Sequence, residues 1–382
     1  MPKIIPYGHQ SIDKSDIQAV VQVLKSDRIT QGPIIDKFEN TLAKFVGAKY
    51  AVCVSSGTAA LHAACFAEGI GPGDEVIVPT LTFVASANCV LYCGAKPVLV
   101  DVYENTLTIN IEEAEKKITK KTKAIIAVDF AGHPADWDKL RKLAQKHNLI
   151  LIDDAAHALG SVYKEKSIGS IAGLTAFSFH PVKTITTGEG GAIATNSEAL
   201  YGRLKKFRHH GIEKDKKNDK KYGSWYYEIN NLGYNYRITD LQAALGLSQL
   251  KKIKKNIEVR RFLWNRYKEK LNNLKAIDLP IEKDNAISAW HIYPIRLNNK
   301  AKKSRREVFD FLRKANIGVQ VHYIPIHFHS LYKKLFGYAK GDFPVAEKYY
   351  ESALSLPLYV SLSKQDQDYV IRKLKESLYE EN

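Results

Sequence analysis

Tyr50-Ala51-Val52-Cys53-Val54-Ser55-Ser56-Gly57-Thr58 is the stretch that decides the fold. The apolar run 50–54 reads as a buried strand, and the small polar residues after it open a helix over 57–68. The same alternation repeats downstream. Strands are expected at 75–78, 97–100, 124–128 and 149–152, with helices at 82–92, 111–118 and 137–147 between them. It predicts a mostly parallel sheet covered by helices on both faces, with ligand-binding residues just past the carboxyl ends of the strands.

Those positions hold suggestive side chains. Ser55, Ser56, Gly57 and Thr58 place hydroxyls and free backbone N–H groups at the positive end of a helix dipole, which suits a phosphate, although Ser and Thr are also ordinary helix caps. Phe83, after the turn 79–82, offers a flat face or fills core. Asp153 and Asp154 follow strand 149–152, where a carboxylate suits a cationic ring nitrogen or merely a turn. The run 174–179 reads as another strand. It carries Ser178 near its end and feeds the Pro-broken turn His180-Pro181-Val182-Lys183, followed by Gly188, Gly190 and Gly191. A lysine held in such a turn suits covalent work through its amine. Taken singly, a surface lysine before a glycine-rich hairpin is the commoner case.

At 382 residues, 45% hydrophobic and 26% charged, the chain has the composition of a soluble globular protein with ample core. No apolar run reaches membrane-spanning length, and Met1-Pro2-Lys3-Ile4-Ile5-Pro6 does not read as a signal peptide, so a cytoplasmic protein is expected. Cys53, Cys65, Cys89 and Cys93 show no Cys-x-x-Cys spacing and read as buried thiols. The net charge of +16 fits an anionic partner. Its lysines gather at 116–123, 214–221 and 251–255, as a solvated basic face rather than a nucleic-acid track.

Elsewhere, helices are expected at 13–25, capped by Ser11, and at 35–45, then a strand at 192–195 and a helix at 198–207. The segment 213–222 reads as a mobile loop. Thr239 and Gln242 form a capping box at the head of a long helix expected to run to about 271. Beyond it, strands at 290–297 and 318–323, a helix over 304–315 boxed by Ser304 and Glu307, and helices at 345–354 and 363–378 predict a smaller α+β unit. The expected division is a large domain over 1–250 and a small C-terminal domain over 251–382. His322, His327 and His329 lack carboxylates at ligand spacing, and no metal is expected.

A phosphate-binding helix start, an aromatic platform, Asp154 and a fixed lysine 29 residues later match the needs of pyridoxal 5′-phosphate (PLP). Lys183 would hold its aldehyde as an imine, and Asp154 would keep its ring nitrogen protonated. Thr58 and Ser178 would hold its phosphate, with Gly57 allowing close approach.

Over nearly its full length the chain resembles the DegT/DnrJ/EryC1/StrS family of sugar-nucleotide aminotransferases, PLP-dependent transferases of fold type I (aspartate aminotransferase-like). The residues that carry the likeness are Ser55 to Thr58, Asp153-Asp154-Ala155-Ala156-His157, Ser178 to Lys183, Gly188-Glu189-Gly190-Gly191 and Gly233-Tyr234-Asn235-Tyr236-Arg237. Within the family, Tyr7-Gly8-His9-Gln10, Thr82-Phe83-Val84-Ala85 and Ser288-Ala289-Trp290-His291 resemble transaminases of pseudaminic acid synthesis. The resemblance implies a large, mostly parallel α/β/α domain with a smaller α+β domain, and a homodimer with shared active sites. It implies Lys183 as the catalytic residue and Ser56, Gly57, Thr58, Phe83, Asp154, His157 and Ser178 as cofactor contacts, with Asn235 reaching the phosphate from a second subunit. Tyr7, the loop of Asp27, Arg28, Ile29 and Thr30, and the turn of His322, Tyr323, Ile324 and Pro325 match nucleotide-sugar contacts. The implied reaction moves an amino group from L-glutamate to the 4-keto group of a UDP-linked 2-acetamido-2,6-dideoxy-hexos-4-ulose, with no nucleic-acid or membrane partner. Transamination of another nucleotide-linked keto sugar is the nearest alternative, and a non-catalytic regulator of the same fold is a remoter one.

Overall fold

The computed structural model describes residues 4–215, 218 and 221–379. Residues 1–3 of the N-terminal run, and 216, 217, 219 and 220 of the lysine-rich segment, lie outside the described residues. The centre of the molecule is a seven-stranded sheet. Its strands are β1 (Tyr50–Val54), β2 (Glu75–Pro79), β3 (Lys96–Val100), β4 (Thr122–Val128), β5 (Ile150–Asp154), β6 (Leu174–Ser178) and β7 (Gly191–Thr195), in the order β1-β7-β6-β5-β4-β2-β3. β7 runs antiparallel to β1 and β6, and the other neighbours pair in parallel. Burial on both faces accounts for the apolar runs at their centres, such as Val76–Val78 and Ala192–Ala194.

The covering helices are α1 (Lys14–Leu24), α2 (Pro33–Val46), α3 (Gly57–Ala67), α4 (Ala85–Tyr92), α5 (Trp137–His147), α6 (Glu198–Phe207) and α7 (Asp240–Lys251). Local chemistry sets their ends. α2 starts at a proline and stops at Gly47 in the left-handed region, and α5 is capped by Asp136 and stops at Asn148 (φ 53°). Asp13, not Ser11, caps α1, forming a reciprocal box with Asp16. α4 begins three residues later than expected, because Thr82, Phe83 and Val84 form a turn held by Ser86, whose hydroxyl approaches Phe83 O at 3.2 Å.

The capping box of Thr239 and Gln242 is present, but the helix it opens is two: α7 ends at Lys251 and α8 covers Ile253–Leu271. The junction residue Lys252 has its Nζ drawn to Asp13 Oδ2 (2.7 Å) and Asp16 Oδ2 (2.6 Å), while Gln249 Nε2 donates to Asp16 Oδ2 and Ser11 O. Beyond α8 lie β8 (Tyr293–Leu297), α9 (Arg305–Lys314), α10 (Pro344–Ser352), β9 (Ala353–Leu356) and α11 (Lys364–Tyr379). The expected box of Ser304 and Glu307 caps α9.

Two expectations fail here. β8 starts at Tyr293 because Trp290 is left-handed (φ 47°) and His291 N–H turns away to Ala131 O. The run 318–323 is not a strand and makes one bridge, Gln320 to Ser355; β8 pairs instead with β9, formed by residues partly assigned to a helix, and on its other edge with Ile277–Asp278. A core of Leu263, Trp264, Tyr267, Tyr293, Leu312 and Leu374 fills this part, and Ile5 packs into it. The N-terminal segment thereby crosses toward the mouth of the site: Ile5 pairs with Ile317, and Tyr7 O accepts from Leu358 N–H.

Candidate active site

The carboxyl ends of β1, β5 and β6 converge on a cavity of about 370 Å³. Tyr7, Ser56, Gly57, Thr58, Phe83, Asp154, His157, Ser178, Lys183, His322 and Tyr323 all line it.

On one side is a cradle. Ser56 caps α3 by accepting Ala59 N–H at 3.1 Å, which orients the first turn of the helix. A Cβ on Gly57 would come within 2.8 Å of Ser178 Cβ, so only glycine lets the helix start sit against the end of β6. On the next side Phe83, 54% exposed, stands over the cavity, with Tyr323 5.8 Å away, centroid to centroid.

Asp154 is buried. Its Oδ2 accepts from Ser86 (2.6 Å) and its Oδ1 from Ala156 N–H (3.2 Å). Burial raises its pKa, against those hydrogen bonds and the charge of Lys183. A carboxylate so placed has the strongest reason to meet a cation.

The Lys183 turn is braced throughout. Lys183 N–H donates to His180 O (2.9 Å), and Phe179 exchanges backbone bonds with Gly190 (2.8 Å) and Thr187 (3.0 Å). Thr186 Oγ1 also donates to Phe179 O, and Gln242 Nε2 to Glu189 O (2.9 Å). The half-buried side chain lines the cavity. Burial pushes its ammonium down to about 8, with Asp154 opposing and Arg260 assisting.

The roof is neutral and polar. His157 Nδ1 faces Ala131 N–H at 3.3 Å and must accept, so its proton sits on Nε2 and is donated to Tyr323 Oη at 3.0 Å. The Tyr323 proton is then free to point elsewhere. His291 lies 4.4 Å from His157, ring to ring, and its Nδ1 has no partner. His322 Nδ1 lies 2.8 Å from Ser355 Oγ. Burial depresses all three imidazoles, His322 to about 4, so they are uncharged at neutral pH.

The model of the DegT/DnrJ/EryC1/StrS aminotransferase family matches residues 10–375. The chain belongs to that family. It is 43% identical over 375 residues to the spore coat polysaccharide biosynthesis protein SpsC of Bacillus subtilis, covering 97% of this chain and 96% of the relative. It is 40% identical over 371 residues to a UDP-4-amino-4,6-dideoxy-N-acetyl-beta-L-altrosamine transaminase of Campylobacter jejuni, covering 96% of each. The Streptococcus pneumoniae protein Spr1654, solved in PMP- and PLP-forms, superposes with TM-scores of 0.93 and 0.92 at 33% identity, over 98% of each chain. The protein is a PLP-dependent sugar aminotransferase of fold type I.

The residues present fit that cofactor. A cradle that a Cβ would fill, a buried carboxylate, an exposed aromatic face and a depressed lysine surround one cavity. Other expected residues lie elsewhere in the single chain. Asp27 and Arg28 line a separate groove between α1, α2 and α7, while Ile29 O and Thr30 pair with the start of α7. Ile324 is exposed and Pro325 precedes a 3-10 turn; neither lines the cavity. Asn235 bridges His209 away from the cavity. His327 donates or accepts through Nδ1 with Thr80 and pairs its Nε2 with Glu347, a carboxylate partner the sequence did not disclose. Sequence reasoning missed Glu189, His180 and His291 as lining residues and Arg260 behind them. His291 and Glu189 stood inside quoted motifs without a role; Arg260 left a signal of its own, a charge on the buried stripe of α8.

Proposed function

We propose that the enzyme transfers the amino group of L-glutamate to the 4-keto group of UDP-2-acetamido-2,6-dideoxy-hexos-4-ulose, acting as a homodimer with shared sites. The reading is carried by one observation: Lys183, Asp154 and the cradle of Gly57 and Ser178 meet a roof of uncharged His157, His291, His322 and Tyr323, a surface suited to hydroxyl- and amide-bearing sugars. The name of the C. jejuni relative supports the particular sugar.

PLP, when bound, supplies an electron sink that acidifies the carbon bearing the transferred nitrogen. Ser56, Thr58 and Ser178, with the N–H groups of the α3 start, would hold its phosphate; Phe83 would stack on its ring; Asp154, oriented by Ser86, would keep its ring nitrogen protonated; and His157 would contact its phenolic oxygen. Lys183 is the covalent anchor. Its amine, once freed, would take the proton from the donor's α-carbon as general base, and in the second half of the reaction would deliver a proton as general acid to the sugar carbon that receives the nitrogen. The pKa near 8 suits both directions. Tyr7, His322 and Tyr323 orient the sugar. Asn235 and the loop of Asp27, Arg28, Ile29 and Thr30 serve the site of the second subunit.

The test is turnover with L-glutamate and a panel of UDP-, GDP- and dTDP-linked 3- and 4-keto sugars, read by product mass and by 2-oxoglutarate release. The named UDP sugar should turn over fastest by kcat/KM. Preference for another keto sugar would move the enzyme to a different polysaccharide route, a second reading favoured by its 43% identity to SpsC.

A further inference from the structure

α8 buries the face made by Ile253, Asn256, Arg260, Leu263, Trp264 and Tyr267, and Arg260 on that face is 1% exposed. Its Nη1 donates to the carbonyls of Leu358 (3.1 Å), His291 (3.2 Å) and Trp290 (3.5 Å), and its Nη2 to that of Val182 (3.3 Å). Its Nε has no partner. No described carboxylate pairs with it, and burial alone pulls its pKa down, to about 10. A buried cation without a counter-ion is costly, and such violations of packing chemistry concentrate at functional sites.

We propose that Arg260 is a positioning residue of the active site: it clamps the carbonyl beside Lys183 to the His291 and Leu358 segments and sets a fixed positive charge behind the Lys183 amine. The chain needs this clamp because the site is assembled from distant segments: the 180–183 turn, the left-handed bend at Trp290, and the run after β9. The guanidinium reaches one carbonyl or more on each.

The groups facing Lys183 assign the charge its role. From the end of β5 come Asp154 and His157, from the bend His291, from the later turn His322 and Tyr323, from the N-terminal segment Tyr7, and from its own loop His180 and Glu189. Burial keeps the imidazoles of His157, His291 and His322 neutral and the phenols of Tyr7 and Tyr323 protonated. Two charges then act on the Lys183 amine in opposite senses: Asp154 favours its protonation and Arg260 disfavours it. The same guanidinium disfavours protonation of His291. Arg260 thereby offsets Asp154, a carboxylate the ring nitrogen needs, and leaves more of the amine free to attack and to accept a proton.

The inference rests on reading Lys183 as the amine that anchors the cofactor. Its test is the pH profile of trace acetylation of Lys183 in the full chain stripped of cofactor, followed by peptide mass spectrometry, in the parent, R260K and R260M. The parent midpoint is expected near 8. R260M should move it up by about one pH unit, a tenfold rise in the protonated-to-neutral ratio at fixed pH, whereas R260K, which keeps the charge while thinning the clamp, should stay near the parent. The pH at which the visible absorption of the holoenzyme changes should shift in the same order. A parent-like midpoint in R260M, or equal displacement of R260K and R260M, would overturn the proposal. Should R260M not fold, N256D supplies a counter-charge one turn earlier on the same buried face with Arg260 in place: a raised midpoint supports the proposal and an unchanged one refutes it. The labelling needs neither sugar nor cofactor, so a wrong sugar assignment leaves its result standing. A wrong anchor would instead show as cofactor still fixed in K183A.

Discussion

Arg208 and Arg260 are both largely withdrawn from solvent, and the protein treats them differently. Arg208, at the end of α6, pairs through Nη1 with buried Glu39 of α2 and also donates to Cys53 O (2.8 Å) on β1. Glu39 in turn accepts Cys53 N–H at 2.7 Å. Arg208 and Glu39 are thus partners of each other, and neither lines the cavity. Arg260 has four carbonyls and, among the described residues, no carboxylate, and one of those carbonyls is that of Val182, the residue before Lys183. A paired buried charge joins elements of the fold; an unpaired one projects a field, and here, on the proposed reading, the field falls on the Lys183 amine.

Four variants sharpen this contrast. K183A should abolish sugar transamination, by about 10⁴-fold, while thermal melting stays cooperative, since the turn is braced by backbone bonds that do not involve the amine. Substantial turnover in that variant would remove the reason for the Arg260 field. At the paired corner the loss should be of stability instead: E39Q leaves Arg208 buried without a counter-charge and should cost about 3 kcal/mol or more in denaturant unfolding, with kcat of the folded enzyme close to parent. D154N keeps the shape and the Ser86 contact and removes the charge, so kcat should drop about 100-fold while the fold persists. An unaltered rate would show that Asp154 is structural.

The smallest effect concerns Asp129 and Asp153, which lie behind Asp154 with Asp129 Oδ2 and Asp153 Oδ1 unpartnered. Burial pushes the Asp129 carboxyl up to about 8. A group whose folded pKa is raised contributes stability at low pH that is lost as pH climbs through the folded value. The parent melting temperature should therefore fall as pH rises from about 4, where the unfolded carboxyl ionises, to about 8, where the folded one does, and D129N should fall less steeply over that range. Parallel slopes in scanning fluorimetry would contradict this assignment.

Legibility in the sequence follows the range of the interaction that decides each feature. The strand at Tyr50–Val54, the helix start at Gly57 and the capping boxes at Thr239 and Ser304 are decided within a few residues and were readable. The break at Lys252 is set by Asp13 and Asp16, more than two hundred residues earlier, and the choice of 353–356 over 318–323 as partner of β8 is a non-local pairing. Lys183, Asp154, Thr58, Ser178 and Phe83 could be found because the sheet delivers strand ends to one place. His291 and Arg260 arrive from beyond the sheet, and only the misplaced charge on the apolar stripe of α8 hinted at the latter. Asn235 and the loop of Asp27, Arg28, Ile29 and Thr30 stay outside the cavity of one chain, and any service they give a second copy is invisible in one copy's geometry.

The most direct test of the account is borohydride reduction of the holoenzyme followed by peptide mapping. The account predicts cofactor mass on the peptide bearing Lys183, and its loss when L-glutamate is added before the reductant. Cofactor fixed to a different lysine, or labelling of Lys183 that L-glutamate leaves untouched, would contradict it.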